Sequence, residues 1–187
     1  MDRKEELRGV AQRLVRRSGF NSMSFADLAA EVGIRSATIH YHYPTKVALG
    51  VHLIERYHEA FFEELARRTE GVETAPARLQ RYGSVFVDNL DQDGGLCLCG
   101  MLAAELPSLD ASIRDGVKRF FEANTKWLAS ELRQGERRGE LSLTRPASQV
   151  AVSLFSALEG AMLVARTLDN TKHLRDTVTF LVGSVQA

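Results

Sequence analysis

Residues 25–49 read FADLAAEVGIRSATIHYHYPTKVAL: two short helical patterns broken by one glycine, then a third that starts behind a proline. Ser24 stands just before the run with Asp27 three positions on, the reciprocal capping arrangement that opens a helix. Phe25, Leu28, Ala29 and Val32 then recur at helical spacing and give one apolar face. Gly33 interrupts, and glycine tolerates the left-handed backbone that turns one helix sharply into another. The segment RSATIHYHY is expected to bury Ile34, Ala37, Ile39 and Tyr43. It leaves Arg35, Ser36, Thr38, His40, Tyr41 and His42 largely outside. Pro44 and Thr45 mark a new start, with a long helix from about Lys46 to Arg68.

Upstream, Leu7, Val10, Ala11, Leu14 and Val15 form the apolar stripe of a first helix, ended by Gly19. The Arg, Glu and Gln residues between them form its wet face. Three short helices with a tight glycine turn between the second and third spell helix-turn-helix. The exposed face of the third carries hydrogen-bonding and cationic side chains and no acid, as a helix entering a DNA major groove requires. The alternative is a solvated face in a protein that never meets DNA.

Charge is consistent with the first alternative. The chain has no formal net charge, yet residues 1–48 hold eight Lys/Arg against five acids, leaving the remainder net acidic. A basic head on an acidic body suits a molecule one end of which meets phosphate.

The run from Phe25 to Leu49 resembles the signature of TetR-type regulators. Ala29, Gly33, Thr38, Ile39, Tyr41, His42, Tyr43, Lys46 and Leu49 stand where that signature looks for them. Arg35 departs from it, occupying a place usually held by a small hydroxyl cap, with Ser36 one position later. His40 stands where tyrosine is common, and Tyr43 where phenylalanine is. The resemblance implies a nine-helix homodimer, usually a repressor on a palindromic operator, released by a small-molecule effector. On this reading the DNA-binding residues are Arg35, Ser36, Thr38, His40, Tyr41, His42 and Lys46. Tyr41 and His42 are assigned to phosphates, and Lys46, in the first turn of its helix, to a phosphate as well. Arg35, Ser36, Thr38 and His40 are assigned to base edges or nearby backbone.

The remaining chain is all-α in pattern, giving nine helices in total and two domains: residues 1–48 for DNA binding and 49–187 for ligand binding and dimerisation. Helices are expected from Ala75 to about Leu90, through LCLCGMLAAEL, from Pro107 to Gly135 or Gly139, from Ala147 to about Leu168, and a last one ending near Gly183. Phe61, Phe62, Phe86, Met101, Trp127 and Phe155 either line a ligand pocket or simply fill the core. Glu105, alone in an apolar run, either anchors a ligand or pairs with an arginine. Cys97 and Cys99 are either buried free thiols or a redox or electrophile sensor; positions i and i+2 of a helix form no relaxed disulfide. Small residues Ser153, Ala157, Gly160 and Ala161 on a helix apolar almost all round mark a dimer interface.

No nucleophile elbow, phosphate-cradling glycine loop or HExxH motif is present, so no catalytic residues, cofactor or metal are expected. His52 and His58 do not share a helix face. The charged start MDRKEELRG is not a signal peptide. Glu159 and the Ser/Gln residues in Ala147–Ala165 argue against a membrane span, leaving a cytoplasmic protein. The competing function is a small helical enzyme or small-molecule binding protein using the aromatic cavity.

Overall fold

The computed structural model describes residues 3–187, which form nine α-helices and one 3-10 turn. They are α1 (Arg3–Ser18), α2 (Phe25–Val32), α3 (Ser36–His42), α4 (Lys46–Thr69), α5 (Ala75–Asp93) and α6 (Leu98–Ala104). The 3-10 turn Leu106–Ser108 follows, then α7 (Ala111–Arg137), α8 (Ala147–Thr167) and α9 (Lys172–Gly183). Among the described residues no strand forms; one antiparallel bridge pairs Leu141 with Gln186. The long helix expected from Pro107 begins only at Ala111, because Leu106–Ser108 wind as 3-10 first.

The chain packs as two compact units. The first comprises residues up to Glu59 together with Gly95–Phe120. It is centred on Leu7, Leu28, Ile39, Leu49 and Ile113, all fully buried. Burying each such side chain contributes about 1.5–3 kcal/mol. The expected boundary at residue 48 falls inside this unit, because α4 continues into its core. A Cβ built on Gly50 would stand 2.7 Å from Ile113 Cδ1 and 2.9 Å from Phe20 Cζ, so only glycine fits there without a shift.

Arg16 corrects the expected wet face of α1. It is buried, and its guanidinium donates to the carbonyls of Leu96 (2.8 Å) and Gly95 (3.0 Å). The Leu96 N–H returns a bond to the Arg16 carbonyl at 3.3 Å.

The second unit comprises Ala60–Gly94 and Phe121–Ala187. Here α5, α8 and α9 pack together around Tyr82, Phe86, Leu158 and Val178. Its buried polar residues Thr69, Asn124 and Glu131 are each hydrogen-bonded, as burial demands. The Tyr82 hydroxyl donates to Asn124 Oδ1 at 2.8 Å, and Arg78 forks onto Glu131 while also reaching the Thr69 carbonyl.

Candidate functional site

The reading head is built by caps. Ser24 and Asp27 form the expected capping box at the start of α2. The two hydrogen bonds from Ser24 hold the Asp27 carboxyl below the usual carboxylate range. At the other end Gly33 is left-handed (φ 73°), its N–H donating to Ala30 while Ile34 donates to Ala29. That double closure fixes the turn into α3. Arg35 stands at the N-cap of α3 without a side-chain cap bond, so the helix starts at Ser36.

Within α3, Ile39 is fully buried and defines the inner side. At about 100° per residue, Ala37 and Tyr41 point the opposite way, with Thr38 and His40 on the flanks. Tyr41 is accordingly 84% exposed. Ala37, expected in the core, is exposed; it lies two residues from Ile39, and no helix puts i and i+2 on one face. Tyr43 is buried as expected and Ile34 is half-buried. The His40 ring packs edge-on against Phe25, 4.9 Å between centroids. Ser36 and His42 lie nearer the inner side and are half-buried.

Thr45 Oγ1 accepts the Ala48 N–H and so caps α4. Lys46 in its first turn does not project outward. Its Nζ donates to the Asn21 carbonyl at 3.3 Å and sits 4.7 Å over the Phe20 ring. Burial pulls its pKa below the usual lysine range, against the opposing charges of Glu105 and Asp27. Glu105 pairs with backbone rather than with an arginine. Its Oε2 accepts the N–H groups of Phe20 (3.1 Å) and Asn21 (2.9 Å). Sequence patterning carries no signal for that contact.

The residues proposed for ligand binding divide between the two units. Met101 and Glu105 lie in the first; Phe61, Phe62, Phe86, Trp127 and Phe155 lie in the second. There Phe86 packs against Phe61, Tyr82 and Phe155, and Trp127 stacks on Tyr82 at 5.2 Å. Cys97 and Cys99 are both buried, and neither is in a disulfide. The Cys97 sulfur caps α6 by accepting the Gly100 N–H at 3.4 Å, and it is hydrogen-bonded to the buried Tyr57 hydroxyl. Burial raises that hydroxyl well above the usual tyrosine range. The fold also brings a cation to this neighbourhood: Arg16 binds the carbonyls of Gly95 and Leu96, immediately before Cys97.

On α8, Ser153 and Gly160 are exposed and Ala157 and Ala161 half-buried. Val152, Leu163 and Val164 on the same helix are each more than half exposed, and Phe180 on α9 is 72% exposed. By length and composition alone α8 is apolar enough to cross a membrane, a test that a core helix of a soluble protein also passes. A third of its most apolar window is buried.

Residues 7–52 match the profile of the bacterial regulatory proteins of the tetR family, and residues 75–181 that of the tetracyclin repressor-like C-terminal domain. The nucleoid occlusion factor SlmA of Marinobacter nauticus is 29% identical over 135 residues, covering 72% of this chain and 69% of the relative. The HTH-type transcriptional repressor NemR of Escherichia coli is 23% identical over 168 residues, covering 88% of this chain and 84% of the relative. A TetR-family transcriptional regulator from Agrobacterium tumefaciens superimposes with a TM-score of 0.94 at 28% identity, covering 98% of this chain and 97% of that one.

Proposed function

Because the chain belongs to the TetR family and is a DNA-binding transcriptional regulator, we propose that it is a cytoplasmic repressor that binds a palindromic operator as a homodimer and leaves it on binding a small molecule. The observation that carries the DNA-reading role is the outward face of α3: Ala37, Thr38, His40 and Tyr41 without an acid among them. On this reading Thr38, His40 and Ala37 meet base edges, the Ala37 methyl suiting a thymine methyl. Arg35, Ser36, Tyr41 and His42 meet bases or phosphates at the margins. Lys46 reaches a phosphate only by leaving the Asn21 carbonyl.

The homodimer rests on Val152, Leu163, Val164 and Phe180, an apolar surface that a second copy would cover. Ser153, Ala157, Gly160 and Ala161 let the partner helix approach closely. The named repressor activity of NemR supports the direction of control. The aromatic cluster of Phe61, Phe62, Phe86, Trp127 and Phe155 is the proposed effector site, and α4, one continuous helix from Lys46 past Phe62, is the proposed lever. A ligand shifts such an equilibrium only by its differential affinity for the two states.

Gel-shift titration against the DNA upstream of the chain's own gene tests this reading. The expected result is a specific complex that candidate effectors dissolve. A complex no tighter than that with scrambled DNA would refute it.

A further inference from the structure

We propose that Glu105 is a positioning residue for DNA reading: its carboxylate holds the α1–α2 turn and so sets the attitude of α2 and α3. The inference rests on the DNA-reading role of α3.

Glu105 closes α6 and opens the 3-10 turn. One of its oxygens accepts two backbone N–H groups, those of Phe20 and Asn21. Bonds from a charged acceptor are the strong kind. The turn is gripped again beside it. Ser108 Oγ donates to the Glu105 carbonyl at 2.8 Å and accepts the Asn21 side-chain amide at 2.7 Å. Lys46 donates to the Asn21 carbonyl from the start of α4. Asn21 is therefore tied at its amide and its side chain to the Glu105–Ser108 turn, and at its carbonyl to α4. Gly19, left-handed at φ 94°, leaves the room this needs: a Cβ there would stand 2.3 Å from Glu105 Oε1.

From Asn21 to the reading face the connection is hydrogen-bonded at successive points. Met23 donates to the Phe20 carbonyl, the Ser24–Asp27 box starts α2, and the two hydrogen bonds from Gly33 and Ile34 close α2 ahead of α3. At the opposite end of α6, Arg16 holds the carbonyls of Gly95 and Leu96. Helix α6 is thus fastened at both ends to α1 and the turn behind it. It cannot shift without turning the reading head or breaking these bonds.

The test selects a preferred duplex from a random pool with the wild-type protein. Wild type, Glu105→Met and Glu105→Gln are then titrated against that duplex and a scrambled one. Methionine keeps the bulk without the acceptor; glutamine keeps an acceptor oxygen without the charge. Amide exchange at Phe20 and Asn21 is measured without DNA. In Glu105→Met both amides are expected to exchange about tenfold faster, and the preference for the selected duplex to fall about tenfold. Glutamine is expected to restore both to within about threefold of wild type. Unchanged exchange or unchanged preference in Glu105→Met, or a Gln variant as impaired as the Met variant, would overturn the proposal. A wild type that selects no duplex would instead sink the DNA-reading role, while the exchange data still test the hold on the turn.

Discussion

The Tyr43 hydroxyl lies 2.7 Å from His52 Nδ1, tying the residue that closes α3 to the second turn of α4. When that nitrogen is unprotonated it accepts, and the tyrosine donates. Burial holds the His52 pKa below its ordinary value. Lys4 and Arg8 add to the effect, and Glu5 and Glu55 oppose it. His58 is lowered in the same way, by burial first and then Arg119, against Glu59.

A pH prediction follows from those directions. The unfolded chain takes up protons near pH 6.5, while the folded one does so only lower, so stability is lost as pH falls below about 6.5. The lowered carboxyls, Glu64 at about 2 among them, act in the same direction only below their unfolded values near 4.5. Melting temperature should therefore fall between pH 7.5 and 5, and His52→Gln should flatten part of that slope. A wild-type melting temperature that stays level across the window would contradict this account.

Ala37→Glu places a carboxylate on the outward face of α3 at an exposed position. Stability should change by less than about 0.5 kcal/mol, while affinity for operator and random DNA should fall by at least tenfold, roughly the repulsion expected beside phosphate. Normal DNA binding by a folded Ala37→Glu protein would mean that this face looks away from DNA.

The fold was legible where local chemistry decides it. The Ser24–Asp27 box, the Gly33 turn and the apolar stripes each act within a few residues, and each element they imply is present. The error at Ala37 came from counting apolar residues in a helix too short for a period to emerge; the 200° between positions 37 and 39 was the available signal. Arg16 and Glu105 were not readable, since their partners lie 79–85 residues away and are backbone groups that any residue type supplies. The cation behind Cys97 was invisible for the same reason.

The dimer prediction concerns α8. Ala157→Glu should give monomers in sedimentation at micromolar concentration and abolish operator binding, because a buried unpaired charge opposes a tight apolar interface. An Ala157→Glu protein that remains dimeric would move the interface elsewhere; a monomeric wild type would remove it.

For sensing, Trp127 is the chain's one tryptophan and stacks on Tyr82, so an effector entering the aromatic cluster should change its fluorescence. By linkage, an apolar or mildly polar effector that releases DNA binds free protein more tightly than operator-bound protein. Release by peroxide, lost in Cys97→Ser or Cys99→Ser, is the competing outcome. If neither agent alters operator affinity, the body does not sense these signals.

The most direct test of the central claim is the stoichiometry and footprint of the complex on a duplex selected from a random pool. Two-fold symmetric reading by α3 predicts two chains bound to an inverted repeat, with half-sites in the major groove about one helical turn or a multiple apart. It also predicts loss of that footprint in Ala37→Glu. A single chain per site, or protection without any preferred sequence, would contradict it.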